Sequence, residues 1–192
     1  MTKPNTGPRE YKPLEIENMV IIDPVKYPSE PDGWVMETAD FSELSYYLGY
    51  KFEPRSMYEI SSPEGVIRGG HVESRSKFIT VVKGLAYFAF VDMRPGDDFG
   101  KKYEIYLGDG DNSVGRSVLV PEGVMDYYIP VLGEATTYSV GDRPYNKLDN
   151  DKTLDIFDIE LGFNIPSGAI HHTRKGEARK LMNYQEFIES IR

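Results

Sequence analysis

The chain has 192 residues, a length that suits one domain, and its content of 40% hydrophobic and 12% aromatic residues excludes a disordered protein. A formal net charge of −9 argues against non-specific binding to nucleic acid. The absence of cysteine excludes disulfides and thiolate sites and is consistent with a cytoplasmic protein. No apolar run is long enough to cross a membrane, and residues 1–10 lack the apolar segment of a signal peptide.

The predicted elements follow a loose, proline-containing arm at residues 1–14. The run at residues 19–24 predicts a short strand that ends at a proline. A capping-box spacing at residues 40–43 predicts a short helix that ends near Gly49. From residue 66 onward, short strands alternate with turn signals about every 8–12 residues, which indicates a sandwich or barrel.

A second capping box, at residues 183–186, predicts a short C-terminal helix. We therefore expect residues 15–192 to form a single, mostly β domain, because the chain contains no internal repeat and its length allows one substantial core.

Residues 66–73 hold the strongest functional signal. Arg68, His71 and Glu73 surround a pair of glycines, and glycine lets the backbone turn or approach a ligand closely. If the stretch is extended, Gly69, His71 and Glu73 share one face, since alternate side chains of a strand point the same way. These residues alone equally allow a solvated strand end with an incidental histidine.

Several motifs occur in a fixed order along the chain. They are Val20-Ile21-Ile22-Asp23-Pro24, Arg68-Gly69-Gly70-His71, residues 77–84, residues 91–94, residues 99–101, Val120-Pro121-Glu122-Gly123 and residues 161–166. This ordered set, across roughly residues 16–185, resembles the dTDP-4-dehydrorhamnose 3,5-epimerase family of the cupin superfamily. The resemblance implies an all-β fold, a cupin-type antiparallel jelly-roll barrel with short flanking helices.

The resemblance also implies an isomerase that epimerises a nucleotide-linked 4-keto-6-deoxy sugar. In that family a base removes the proton at C3 or C5, an enolate forms, and an acid returns the proton to the opposite face. Such a site needs a base tuned near neutral pH, a cation or donor for the enolate oxygen, and an acid. No metal or organic cofactor is expected.

Position by position, the resemblance assigns the base to His71, the cation to Lys77 and the proton donor to Tyr138. Tyrosine suits the last role because its intrinsic pKa of about 10 keeps it protonated at neutral pH. Tyr127, Tyr128 and Tyr145 compete with Tyr138 for this assignment. The substrate-binding candidates are Arg68, Glu73, Tyr128 and Tyr145.

The chain departs from the family pattern at five positions. They are Asp32 for the arginine of an Arg-Gly pair, Glu73 for a glutamine, Asp126 for the histidine of a Pro-x-Gly-x-x-His motif, Ile165 for a tryptophan, and Gly176 for the aspartate that pairs with the base. A base histidine benefits from a carboxylate on its other ring nitrogen. We expect Asp126 to replace that aspartate beside His71, with Glu177 and Glu73 as weaker candidates. Alternatively, Asp126 caps the preceding turn.

Two other functions stay open. A sugar-binding homologue could retain the barrel without catalysis, since fold does not imply function. A metal-dependent cupin would have only His71, Glu73 and Asp126 as ligands, and we expect His171 and His172 to lie in a solvated loop. For partners, we expect a small-molecule nucleotide sugar, no membrane, and a homodimer in which residues 14–23 form an arm across the interface.

Overall fold

The computed structural model describes residues 9–29, 31, 33–145, 153–171 and 181–191. Its strands are Arg9–Pro13 (β1), Val20–Pro24 (β2), Lys26–Ser29 (β3), Gly33–Met36 (β4), Ser56–Ser62 (β5), Val66–His71 (β6), Lys77–Lys83 (β7), Leu85–Asp92 (β8), Lys102–Gly108 (β9), Ser117–Val120 (β10), Val124–Pro130 (β11), Ala135–Gly141 (β12) and Ile170–His171 (β13). The helices are Phe41–Leu48 (α1) and Tyr184–Ile191 (α2).

The strands form two large sheets and a separate hairpin. One sheet has six strands in the order β1-β2-β10-β7-β12-β5, the other has five in the order β13-β6-β11-β8-β9, and β3 pairs with β4. Neighbouring strands are antiparallel except β13 and β6. This arrangement confirms the prediction of an all-β fold with short helices.

The two sheets enclose the main core between them. Ile79 and Val81 of β7 meet Phe88 of β8 and Tyr128 of β11 in one buried cluster, so these side chains point to the interior. Because side chains alternate along a strand, Phe78 points outward instead and packs beneath α1. On the other side, α2 covers the outer face of the five-stranded sheet. The interior between the sheets is the place where polar side chains could form a site.

Both helices begin as their capping residues predict. Asp40 accepts a hydrogen bond from the Ser42 amide, and Gly49 ends α1 in the left-handed region at φ 76°. The Asn183 side chain accepts from the Glu186 amide at 2.9 Å, while the Glu186 carboxylate accepts from the Asn183 amide at 3.1 Å. None of the helices in the described ranges is long and apolar enough to span a membrane.

The N-terminal segment differs from the predicted arm. Residues 9–13 form β1, which pairs along its whole length with β2, and the buried Arg9 forms an ion pair with Glu43 of α1 at 3.0 Å. Residues 14–23 are not an arm either, because Ile16 and Met19 are buried and β2 lies between β1 and β10 of its own sheet. Residues 1–8 of the predicted arm lie outside the described residues.

Candidate active site

The glycine pair of β6 creates a bulge that turns Arg68 and His71 to the same face. His71 lies opposite Asp126, and the pairing with β11 shifts by one residue immediately afterwards, so that Gly70 is the extra residue. Gly69 and Gly70 have φ of 95° and 81°, a region that favours glycine. A Cβ at Gly69 would overlap the carbonyl oxygen of Asp126. Without the bulge, side chains three positions apart would point to opposite faces.

That common face is the barrel interior. Arg68 lies opposite Tyr128, whose ring belongs to the interior core, and His71 lies opposite Asp126, two positions before Tyr128 on β11. The prediction that Gly69, His71 and Glu73 lie on one face of a strand is therefore wrong. The bulge at Gly70 interrupts the alternation of side chains, and β6 ends at His71, before Glu73.

Lys77 brings two acidic side chains together inside the barrel. It begins β7 in the opposite sheet and points inward, like Ile79 two positions later. Its Nζ lies 2.7 Å from Glu73 Oε1 and also forms an ion pair with Asp126. The exposed fractions of His71, Lys77 and Asp126 are 7%, 5% and 5%. Asp126 is thus a buried interior carboxylate and not a solvent-facing turn cap.

These contacts shift the pKa values of all three charged groups. Burial lowers the pKa of Lys77, but the charges of Asp126 and Glu73 outweigh burial and raise it. Burial raises the pKa of Asp126, with Lys77 opposing that effect. For Glu73, burial raises the pKa, but Lys77 and Arg75 outweigh it and bring the pKa down to about 2. At neutral pH, Lys77 is therefore an ammonium and Glu73 a carboxylate.

Thr153 lies beside His71 and was not expected from the sequence. Its Oγ1 is 3.3 Å from His71 Nδ1. The next residue, Leu154, donates its amide to the Gly70 carbonyl at 3.1 Å, which anchors Thr153 against the bulge. No motif surrounds Thr153 in the sequence, so only its tertiary contact reveals it.

Arg68 and Tyr128 share a second polar group in the interior. Arg68 Nε donates to Ser62 Oγ at 3.0 Å, and that hydroxyl lies 3.1 Å from the Tyr128 hydroxyl. Thr137 donates to the Tyr128 hydroxyl at 3.5 Å. Ser62 thus connects Arg68 and Tyr128, which were both predicted to bind the substrate. Tyr128 is two residues after Asp126 on β11, on the same face of the strand.

Tyr145 lies at the end of the barrel next to Arg75. Arg75 was not expected from the sequence. The ring centroids of the exposed Tyr58 and Tyr145 are 6.1 Å apart, and the Arg75 guanidinium lies 5.6 and 5.7 Å from them. Arg75 Nε donates to Glu73 Oε2 at 2.6 Å. Arg75 therefore links the two tyrosines to the carboxylate that holds Lys77.

Tyr138 is not among these interior side chains. It lies opposite Thr80 and Glu59, while its neighbour Ser139 lies opposite the inward-pointing Ile79. Because side chains alternate along β12, Tyr138 points to the outer face, where a hydrogen bond to Glu59 raises the pKa of its hydroxyl. The structure thus separates Tyr138 from His71, contrary to the role expected from the resemblance.

Some predicted residues fall outside the described ranges, namely Asp32, His172, Gly176 and Glu177, as does the side chain of His171. In the part of the chain that the structure describes, no group of three or more histidine, aspartate or glutamate side chains could hold a metal ion. Of the ligands that a metal site would require, Glu73 and Asp126 both contact Lys77.

Comparison with known proteins agrees with this architecture. The family model described as dTDP-4-dehydrorhamnose 3,5-epimerase matches residues 13–183. The chain belongs to this family. A dTDP-4-dehydrorhamnose 3,5-epimerase from Mycolicibacterium smegmatis is 30% identical over 112 residues, which is 56% of this chain and 53% of the relative. An RmlC homologue from Streptococcus pyogenes is 34% identical over 89 residues, 46% of this chain and 42% of the relative. The chain thus spans about half the length of the curated epimerase-family relatives that it matches.

Solved structures of epimerase-family proteins share the fold. The dTDP-4-dehydrorhamnose 3,5-epimerase of Elizabethkingia anophelis has a TM-score of 0.78 at 19% identity, covering 93% of this chain and 98% of its own. The Legionella pneumophila enzyme RmlC, in complex with dTDP-4-keto-L-rhamnose, has a TM-score of 0.75 at 20% identity and coverages of 85% and 88%. The predicted cupin-type jelly roll is confirmed.

Proposed function

We propose that this chain epimerises a nucleotide-linked 4-keto-6-deoxy sugar, by proton abstraction next to the keto group and reprotonation on the opposite face. One observation carries the proposal: the Asp126 carboxylate, opposite His71 in one sheet, forms an ion pair with Lys77 of the other sheet. A histidine and an ammonium therefore lie on either side of the same buried carboxylate. Family membership supports the reaction class, and the Legionella relative binds a 4-keto sugar nucleotide.

In this proposal His71 is the base. In the tautomer that carries the proton on Nδ1, the ring donates to the Thr153 hydroxyl, and Nε2 is the nitrogen that takes the sugar proton. When His71 becomes an imidazolium, the carboxylate of Asp126 on the adjacent strand stabilises the new charge. Asp126 thereby takes the part of the aspartate that the family places where this chain has Gly176.

Lys77 stabilises the enolate oxygen. An ammonium has three N–H donors, and Glu73 and Asp126 use two of them, which leaves one for the keto oxygen of the substrate. Burial of Lys77 strengthens this interaction, because a fixed charge acts more strongly where water is excluded.

Arg68 and Tyr145 bind the remainder of the substrate. Arg68 is half-buried, and its guanidinium donates to the neutral hydroxyl of Ser62, so it can also bind an anionic diphosphate oxygen. The exposed rings of Tyr58 and Tyr145 offer an aromatic surface for the nucleobase or sugar. Glu73 acts on the substrate through Lys77, and Tyr128 lines the interior beside Arg68.

We also propose a homodimer, through a surface other than the arm expected from the sequence. The β3–β4 hairpin pairs with neither large sheet in the described residues, and a two-stranded hairpin alone is marginally stable. Its Trp34 and Val35 are 55% and 60% exposed. Packing of this hairpin on a second copy would cover that apolar surface. A cytoplasmic location stays a prediction from the sequence.

The proposed reaction is tested in D2O with a dTDP-linked 4-keto-6-deoxy sugar. NMR should show deuterium at C3 or C5 together with the inverted epimer, and the His71→Ala protein should show neither. A chain that binds the nucleotide sugar and leaves its α-protons unexchanged would instead be the non-catalytic homologue.

A further inference from the structure

We propose that Lys77 is the acid that returns the proton to the sugar carbon, and that Asp126 carries the proton from His71 back to Lys77. The inference rests on the proposed epimerase function and adds two roles: Lys77 as a proton donor, and Asp126 as a proton carrier.

The positions of the two sheets indicate which side chain can donate the proton. Inversion of a carbon needs the base on one face of the sugar ring and the acid on the other. His71 belongs to the five-stranded sheet, so the acid should come from the six-stranded sheet that faces it. Lys77 belongs to that sheet and points inward, whereas Tyr138 of the same sheet points outward.

Tyr128 is the strongest competitor. Its ring is in the interior, but it lies on the same sheet as His71, and its hydroxyl is engaged by Ser62 and Thr137. Lys77 instead contacts Asp126, the direct cross-strand neighbour of His71. Lys77 therefore combines the correct sheet with a link to the base.

The proton steps balance. His71 takes the proton from the sugar carbon, and the electron pair of that C–H bond forms the enolate. The N–H of Lys77 that neither Glu73 nor Asp126 accepts first binds the enolate oxygen and then passes its proton to the enolate carbon on the opposite face, and the keto group reforms. This transfer is downhill, since an ammonium is a much stronger acid than the carbon next to a ketone. The products are an imidazolium at His71 and a neutral amine at Lys77.

Asp126 completes the cycle. His71 and Asp126 are directly opposed on β6 and β11, and such residues have Cβ atoms about 4.5–5.5 Å apart, a separation that their side chains can span. After the product leaves, the imidazolium gives the proton on Nε2 to Asp126, and Asp126 gives a proton to the amine of Lys77.

Lys77→Arg is the decisive variant, since arginine keeps the positive charge between Glu73 and Asp126 but holds its protons too tightly to act as an acid. We expect deuterium from D2O still to enter the unchanged epimer, at a rate that falls far less than the rate of inversion. We expect formation of the inverted epimer to fall at least about 100-fold, the contribution of one general acid.

A second variant controls for the possibility that arginine does not fit at position 77. The chain has no cysteine, so Lys77→Cys can be alkylated at this one position with 2-bromoethylamine, which rebuilds an ammonium. Epimer formation should be absent before alkylation and return after it. Alkylated protein that has the native circular dichroism spectrum and does not recover would overturn the proposal.

Three further results would overturn it. The first is a Lys77→Arg protein that forms the inverted epimer at the native rate. The second is a Lys77→Arg protein in which α-proton exchange and formation of the inverted epimer fall by the same factor. The third is a Tyr128→Phe protein that exchanges the α-proton but does not form the inverted epimer. Native protein that neither exchanges nor inverts would contradict the proposed function itself, a distinct outcome.

The carrier role has its own readout. Asp126→Asn should invert about one sugar per site in a first turnover that is faster than all later turnovers, because the proton cannot return to Lys77. A uniform decrease without this burst would remove Asp126 as the carrier.

Discussion

Arg68 and His71 point into the same interior although they are three positions apart on one strand, because Gly70 is the extra residue of a bulge. The bulge depends on close backbone contact between β6 and β11 at Gly69. The two candidate site residues therefore share a face only while this contact is kept.

Gly69→Ala should destabilise the fold by about 3 kcal/mol or more, because φ of 95° is strained for alanine and its Cβ would overlap the Asp126 carbonyl. Urea unfolding measures the loss. Gly133→Ala is the matched control, since φ there is also positive, at 67°, but no atom lies within 4 Å of the added Cβ. The control should lose only about 1 kcal/mol, and equal losses would exclude the backbone clash as the cause.

Tyr138→Phe should leave the rate of epimer formation within about twofold of the native rate, because the hydroxyl lies on the outer face beside Glu59. The measurement is NMR of the inverted sugar. A large fall in this variant would restore the role that the family resemblance assigns to Tyr138.

His71→Ala should lower exchange of the sugar α-proton by at least about 100-fold, since general base catalysis contributes that much, while the thermal unfolding midpoint changes little. Native exchange in His71→Ala would remove His71 from the mechanism.

Thr153→Val should lower the rate of α-proton exchange up to about tenfold, the value of one hydrogen bond, and change the pH profile of that rate.

Acid should destabilise the protein through Glu73. Its folded-state pKa of about 2 lies below the ordinary value of 4.5, so the unfolded chain takes up the proton first. The contribution is complete above about pH 4.5 and is lost as the pH falls towards 2. Free energies of unfolding between pH 2 and 6 should show a shallower fall for Glu73→Gln than for the native chain. Parallel curves would mean that the ion pairs of Glu73 do not contribute.

The homodimer can be followed with the single tryptophan of the chain, Trp34, which is exposed on the β3–β4 hairpin. Its emission should shift to shorter wavelength as the protein concentration rises and the hairpin becomes covered. Val35→Asp should weaken association in light scattering, since it puts a charge into the proposed contact. A monodisperse monomer at micromolar concentration would exclude this dimer.

Local sequence rules determined the features that depend on near neighbours. The caps of both helices follow from side chains that bond to amides two or three residues away, so Asp40 and the Asn183–Glu186 pair are readable without a fold. The ordered motifs identified the cupin-type barrel, which the comparisons confirm. They also picked out His71, Lys77 and Asp126, which the structure brings together in the barrel.

Tertiary structure decided which side of each strand carries the site. A strand has a period of two, so one extra residue at Gly70 or a shift of one position at Tyr138 reverses the face of a side chain. Thr153 became visible only through its contact with His71, because its segment has no periodic pattern and its neighbour binds the Gly70 carbonyl. The pairing of distant strands, and not the spacing of residues along the chain, determines these contacts.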